Sequence, residues 1–278
     1  MLARFAWALR RCGAPGIYPG RWSAWFSGSW LLAAVIGITG LAFEAQIATD
    51  SHTHAICSGD GSTLARSLAS AIAADCRGLI SFGIAGGLSP GLRAGTCIVG
   101  STIVTEAIEF STDRQWSQAL LRPIPDAIYG AIAGVTTVAA HPEAKRSLHM
   151  RTGALAVDNE SHVVASVAAA CGLPVAAVRV IMDPVTRELP AAALATVRAN
   201  GTINLAALVH SIMRRPAELP MLLRTALDAW IGFAALLRCR RLLGPGFGLP
   251  SLQAPGPKLN SGSEIPIYGL DGRCPERS

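Results

Sequence analysis

Charged residues make up only 15% of this 278-residue chain, and the formal net charge of +6 does not gather into the Lys/Arg stripe of a nucleic-acid surface. No nucleic-acid partner is expected. Seven cysteines, at 12, 57, 76, 97, 171, 239 and 274, form no CxxC pair and no Cys/His cluster at metal-ligand spacing, which excludes a zinc module and a disulfide scaffold. Reduced, mostly buried thiols in a cytoplasmic protein follow. His52 and His54, expected on a loop, lack a third ligand nearby, so no metal site is expected. The sequence has no GxGxxG and no Walker lysine-serine pair, which sets aside a dinucleotide fold and a P-loop. No acidic residue precedes Glu44. The apolar run Trp30 to Phe43, interrupted by Gly37, Thr39 and Gly40, is too short to span a bilayer and reads as a first buried strand, so no transmembrane helix is expected.

The length suits one large domain with a proper core. Mean hydropathy is +0.40, high for a freely soluble enzyme, and points to an oligomer interface or contact with an apolar phase. Residues 1–30 stand apart, with Trp7, Trp22, Trp25, Trp30 and Arg4, Arg10, Arg11, Arg21; they read as an extension or an over-long start ahead of a domain spanning 31–249. The Pro/Gly/Ser-rich residues 250–278 read as a loose tail. Between them, strands are expected at Leu32–Thr39, Leu79–Ile84, Thr96–Thr105, Val135–Ala139 and Val175–Met182. Helices are expected at Ser62–Ala74, with Leu64, Leu68 and Ile72 on one face, and at Asn159–Ala170. Short apolar strands without strict alternation imply helices on both faces of the sheet: an α/β protein with a three-layer α/β/α sandwich around a central twisted, mixed sheet, and a site at its carboxyl edge. Leu205–Arg241 reads as nearly continuous helix broken at Pro216 and Pro220. Its arginines are answered only by Glu218 and Asp228, which suits an amphipathic surface toward anionic lipid or an entry path for a greasy substrate.

The chemistry concentrates in three places. Gly78-Leu-Ile-Ser-Phe-Gly83-Ile84-Ala85-Gly86-Gly87 is an apolar strand ending in small residues, where backbone amides can meet a ligand. Val157-Asp158-Asn159-Glu160-Ser-His162 and Val178-Arg179-Val-Ile-Met-Asp183-Pro184 bring three carboxylates and an arginine to the ends of buried-looking segments. A buried guanidinium such as that of Arg179 needs a carboxylate partner.

These segments, in this order and spacing, resemble the signatures of the purine nucleoside phosphorylase and nucleosidase superfamily. Ile38-Thr-Gly-Leu-Ala-Phe-Glu44-Ala, Leu79–Leu88, Thr152–Asp158 and Arg241-Leu-Leu-Gly-Pro-Gly-Phe-Gly-Leu249 resemble in particular the hopanoid-biosynthesis-associated phosphorylase-like proteins. The resemblance covers Leu31 to Leu249. It implies a nucleoside phosphorylase-like domain, usually oligomeric, and release of adenine from adenosylhopane, with a soluble purine nucleoside or methylthioadenosine-type substrate as the alternative and a non-catalytic basic interaction protein as the remaining one. It also implies a nucleoside-lipid partner, peripheral contact with the cytoplasmic membrane, and no cofactor, with phosphate left open as co-substrate. Asn159 stands where the family commonly has methionine, Met182 where serine is common, and Thr96 where aspartate is frequent.

Roles follow for individual residues. Asp183, at the end of a buried strand and fixed by Pro184, is expected to protonate the purine. Glu160 is expected on the ribose hydroxyls, with Asp158 as its turn former and His162 packed behind it. By resemblance, Glu44 and Arg179 flank the nucleophile at C1′. Glu44 serves as base if water attacks; Arg179 and the amides of Gly83, Ile84, Ala85, Gly86 and Gly87 seat the anion if phosphate does. Asn159 completes the expected substrate-binding set.

Overall fold

A computed structural model describes residues 34–57, 61–72, 75–190 and 218–250, with isolated positions between 193 and 214. The expectations for residues 1–30 and 250–278, and for most of 205–217, fall wholly or nearly so outside these residues.

The strands are β1 (Val35–Thr39), β2 (Thr53–Cys57), β3 (Gly78–Gly87), β4 (Cys97–Val104), β5 (Glu109–Ser111), β6 (Ile128–Gly134), β7 (Ala156–Asp158) and β8 (Val175–Asp183). The helices are α1 (Ala42–Ala48), α2 (Gly61–Ala71), α3 (Arg114–Leu121), α4 (Pro142–Thr152), α5 (Ser161–Cys171) and α6 (Leu219–Leu243), followed by a 3-10 turn at Pro245–Gly248. All eight strands join one mixed sheet. Strand β3 runs parallel to β1 and β8, β8 antiparallel to β4, β4 parallel to β6, and β6 parallel to β7. Strand β7 returns to pair antiparallel with Gly86 and Gly87 at the end of β3. The expected mixed sheet between helices is present, and within it β3, β8, β4, β6 and β7 close a circuit that brings Asp158 to the same edge as Gly86 and Asp183.

Side-chain parity sorts the core into layers. Ile36, Ile38, Leu79, Ala177 and Ile181 face α2 and α5, meeting Leu64, Leu68, Val164 and Ala168. Val35, Ile80, Phe82, Val178 and Val180 face the other way, toward Trp116 and Leu120 of α3 and Leu236 and Leu243 of α6. A smaller cluster lies under α4, where Leu148 meets Val104 and Val157. Ser81, Gly83 and Arg179 share the parity of Leu79 and Ala177. An arginine in the middle of β8 is thereby driven into the α5 layer, where only polar company makes its burial tolerable.

Local chemistry explains the element ends. Asp113 caps α3, its Oδ1 accepting from Trp116 N at 2.7 Å; α4 opens with Pro142 in its first turn and closes on Gly153 at φ 66°, a backbone that glycine adopts without Cβ strain. Four expectations need correction. Val135–Ala139 is a loop and the strand is Ile128–Gly134: the β-branched cluster lies just past the exit of a strand whose Gly130 is forced by Leu155, since a Cβ there would come within 2.3 Å of Leu155 Cδ1. His54 sits in strand β2 rather than on a loop. Pro220 occupies the first turn of α6 instead of breaking it, because a proline N1 or N2 lacks only a donor that the helix would leave orphaned. Helix α6, finally, is long and apolar enough by length and composition to cross a membrane; one face, with Leu222, Gly232, Leu236, Cys239 and Leu243, is buried, and the other, with Leu223, Leu227 and Trp230, is exposed.

Candidate active site

The carboxyl ends of β1, β3, β7 and β8 converge, and the site grows from Arg179. Its side chain is 1% exposed, with Nε 2.5 Å from Asp158 Oδ2 and Nη2 3.3 Å from Glu160 Oε2. Nη2 also donates to Ser81 Oγ at 2.5 Å, and Nη1 to the Ile84 carbonyl at 3.4 Å. Asp158 does double work. Its Oδ1 accepts from the amides of Glu160 at 3.2 Å and Ser161 at 2.9 Å, and its Oδ2 takes the Ser161 hydroxyl. The expected turn-forming role is therefore present together with the pairing to Arg179. Glu160 is the N-cap residue of α5, which fixes its backbone at a helix entrance and leaves its carboxylate facing β1: a Cβ on Gly40 would come within 2.7 Å of Glu160 Oε1.

Glu44 lies in the first turn of α1 and is almost fully buried. Its Oε2 accepts from the amides of Gly40 at 3.1 Å and Leu41 at 2.9 Å, and its Oε1 from Ile84 N at 2.8 Å. The acid thus caps its own helix and ties α1 to β3. Gly83 makes this possible, since a Cβ there would lie 2.8 Å from Arg179 Nη1 and from both oxygens of Glu44. Glycine is required here for close approach, and its φ of 158° is one that other residues rarely adopt. Burial pushes the Glu44 carboxyl above its usual range, opposed by Arg179 and the three amides. Glu160 is pushed up to about 7, first by burial and then by the neighbouring Asp158 and Glu44 carboxylates, with Arg179 pulling the other way. Cys57, beside these acids, is raised to about 11 by burial, too high for a thiolate nucleophile near neutral pH.

Asp183 occupies a second pole. It pairs in register with Gly86, whose missing Cβ would sit 3.4 Å from both carboxylate oxygens. Its Oδ2 is 2.5 Å from Nζ of Lys145, a wholly buried lysine on α4. Burial raises the Asp183 carboxyl, and Lys145 lowers it. Lys145 escaped the sequence reading: on a weakly amphipathic, mostly polar helix it looks like any solvated lysine, and only the circuit of strands under α4 buries it.

The structure therefore brings Glu44, Glu160, Arg179 and Gly83 into one hydrogen-bonded cluster, places Ile84 at its edge through its amide, and sets Gly86 beside Asp183. Gly87 packs against Ile181 and Pro184 and Ala85 belongs to the core, so these two space the poles. Asn159 is half-buried between Asp158 and Glu160. His162 is packed: Cβ atoms on Gly134 would strike it at 2.4 Å, and burial lowers its pKa. Among the described residues no group of three or more His, Cys, Asp or Glu could hold a metal ion. One groove, about 600 Å³, is bordered by Val104–Glu109, Arg151 and Thr152 and touches none of these residues; another, about 470 Å³, runs along Pro184–Arg187 immediately after Asp183.

Acids gathered around an arginine at the strand ends of a mixed sheet mark this edge as the candidate active site. The chain belongs to the phosphorylase superfamily, whose family model matches residues 42–214, and is an enzyme of the nucleoside phosphorylase and nucleosidase class. No curated protein matches it in sequence. Among solved structures it is similar to a putative methylthioadenosine nucleosidase from Weissella paramesenteroides, with 16% identity over 79% of this chain and 99% of that one and a TM-score of 0.53. It is also similar to the 5′-methylthioadenosine/S-adenosylhomocysteine nucleosidase of S. pneumoniae bound to a transition-state inhibitor, with 15% identity, 76% and 99% coverage and a TM-score of 0.52. The corresponding Campylobacter jejuni nucleosidase gives 12% identity, 75% and 97% coverage and a TM-score of 0.51. These likenesses establish the fold.

Proposed function

We propose that this enzyme hydrolyses the N-glycosidic bond of a soluble purine nucleoside, of the 5′-substituted methylthioadenosine type named for its structural relatives. Asp183 donates a proton to the purine ring nitrogen as the C1′–N9 bonding pair leaves with the base. Glu160 accepts from the ribose hydroxyls and holds them more tightly as positive charge grows on the ring. Glu44 takes a proton from water as its oxygen bonds to C1′. Water is favoured over phosphate by one observation: the Ile84 amide that would seat an anion already donates to Glu44. Arg179 supports the same reading, because its guanidinium is engaged by Asp158, Glu160 and Ser81. A phosphate would meet three carboxylates around one committed cation. The test is to incubate the purified full-length chain with adenosine and 5′-methylthioadenosine, with and without phosphate, and to weigh the sugar product. Free sugar formed at the same rate in both buffers is expected; a sugar phosphate formed only when phosphate is present would overturn hydrolysis.

A lipid-linked nucleoside such as adenosylhopane is a second reading, favoured by the outer face of α6. Leu219, Leu223, Leu227, Trp230 and Ile231 are 41, 64, 53, 57 and 36% exposed and recur at helical spacing, with Arg224 and Arg238 also exposed. Such a stripe suits an apolar tail or the surface of an anionic bilayer, where each covered CH₂ contributes about 0.8 kcal/mol. Flotation with anionic liposomes, lost on Leu223→Glu with Leu227→Glu, would support it. A stripe that instead drives self-association, seen as a dimer that the same pair of changes dissociates, would count against it.

A further inference from the structure

We propose that Lys145 is a positioning residue for the proton transfer: it is the fixed cation that stabilises the carboxylate Asp183 becomes as it protonates the leaving purine. This rests on the glycosidic-bond reading above and deepens it.

The geometry is specific. Lys145 Nζ lies 2.5 Å from Asp183 Oδ2 and donates to the carbonyls of Asp183 at 3.2 Å, Pro184 at 3.3 Å and Arg187 at 3.0 Å. An ammonium offers three donors and no acceptor, and all four neighbours are oxygen acceptors, so the cradle is built for the charged amine. It also pins the exit from β8 through the carbonyls of Pro184 and Arg187, which holds the carboxylate in one orientation beside Gly86. The other charged groups facing this pair are Asp228 on α6, which acts on Asp183 through its charge, and Arg187, whose Nε binds Asp228 Oδ2 at 2.7 Å.

A buried acid keeps its proton easily but parts with it at a cost, because the anion left behind has no water around it. During the reaction the Asp183 O–H bond breaks, an N–H bond forms on the purine, the C1′–N9 pair goes to the base, and the carboxylate gains a full negative charge. Lys145 binds that anion far more strongly than the neutral acid. Its interaction therefore grows toward the transition state, which is the condition for accelerating a step instead of merely tightening binding. No other lysine or arginine forms an ion pair with Asp183 among the described residues.

The test compares the unmodified enzyme with Lys145→Met and Lys145→Arg. Lys145→Met should lower kcat about 100-fold, in the range for loss of one preorganised charge partner, with KM within about threefold. The alkaline limb of kcat, where Asp183 loses its proton, should move to higher pH, because the acid has lost its opposite charge; Lys145→Arg should keep the limb in place and recover most of the rate. Should Lys145→Met fail to fold, Lys145→Gln, which retains donors to the carbonyls without the charge, takes its place. A carbon-13 titration of the Asp183 carboxyl in the free protein, independent of turnover, should show its pKa rising by at least about one unit in the uncharged variant. An unmoved titration, or kcat kept within threefold, would overturn the role given to Lys145. A wild-type chain inactive on every purine nucleoside would instead overturn the glycosidic reading, and the titration would still decide whether Lys145 controls Asp183.

Discussion

Arg179 and Lys145 are both buried cations that serve acids at one edge of the same sheet, yet their surroundings differ in stoichiometry. Lys145 faces one carboxylate and three carbonyls, a balanced pair. Arg179 is surrounded by Asp158, Glu160 and Glu44, so positive charge is outnumbered. The balanced pair suits a carboxyl that must cycle between acid and anion. The anionic cluster suits groups that accept hydrogen bonds or protons, and on the proposed function it would stabilise positive charge developing on the sugar. It also explains why Glu160 is held above the usual carboxylate range even with a guanidinium beside it, since one cation does not offset burial and two neighbouring anions together; for Glu44, burial alone outweighs Arg179 and three amides.

The comparison breaks most visibly at Asp183. Asp183→Asn keeps the shape and a hydrogen-bonding group for Lys145 but removes the transferable proton, and turnover of a purine nucleoside should fall by about 10²- to 10⁴-fold in a protein that still folds. Near-full turnover, read by release of free base, would remove Asp183 from the chemistry. At the other pole the first casualty should be the fold. Arg179→Met leaves Asp158, Glu160 and Glu44 buried without their cation, and loss of one partner of a buried pair costs about 3–5 kcal/mol. Denaturant midpoints of the two variants should therefore separate them: Asp183→Asn lowered, because Lys145 keeps its carbonyl acceptors but loses its counter-charge, and Arg179→Met lower still, because three acids lose theirs. Equal midpoints would mean that the poles do not differ as their charge counts imply.

Glu160 sharpens the contrast through pH. Its carboxyl, raised to about 7 by burial and the adjacent acids, must be ionised to accept from two ribose hydroxyls, so kcat/KM should climb as pH rises through about 7. The sign for stability is opposite. A folded-state pKa above the unfolded value means that the folded chain binds the proton more tightly, so this contribution is fully present below the unfolded pKa near 4.5 and is lost as pH rises through about 7. The melting temperature should drift down over that interval while activity goes up. Glu160→Gln should flatten both trends and cost roughly tenfold in kcat/KM, a loss of about 1.4 kcal/mol. A 2′-deoxy substrate turned over as fast as the ribose compound by wild type would show that Glu160 does not bind that hydroxyl.

Much of this was legible because periodicity and rare residue types carry it. The strands β1, β3, β4 and β8 are apolar on both faces, so they stand out as runs, and an arginine or a terminal aspartate interrupting such a run, as in β8, marks itself. The helix after Glu160 announces itself by its apolar residues and by the acids before it. Other parts lacked a one-dimensional signal. Helix α1 holds only seven residues with Glu44 in its first turn, and its cap is made by that side chain reaching back. Strands β2, β5 and β7 are short and draw their stability from neighbours distant in sequence. Lys145 and the close approach at Gly83 depend on how the circuit of strands folds over itself, which no spacing rule encodes. The segment Arg241–Leu249, noticed only as a resemblance, turns out to be architectural: Phe247 is fully buried at φ 51°, its ring 5.0 Å from that of Phe82, with the Arg240 guanidinium 4.4 Å over its face.

That segment supplies the control with the smallest expected effect. Trp116 of α3, fully buried on the face of the sheet opposite Arg179, donates its indole N–H to the Phe247 carbonyl at 2.9 Å. Trp116→Phe removes the donor, leaves a buried carbonyl without that partner and opens a small gap, for a combined cost of about 1–3 kcal/mol. In a domain of this size each kcal/mol lowers the melting temperature by about 2–4 °C. Gly78 shows how close the fit is, since a Cβ there would come within 2.9 Å of the indole. Because Val178 and Val180 face Trp116 while Arg179 and Asp183 face away, the change should reach stability without reaching chemistry: a lower melting temperature, with kcat, KM and both limbs of the pH profile within experimental error of wild type. A shift in either limb would show that the two faces of β8 are mechanically coupled, and the separation of the site from its supporting core would have to be abandoned.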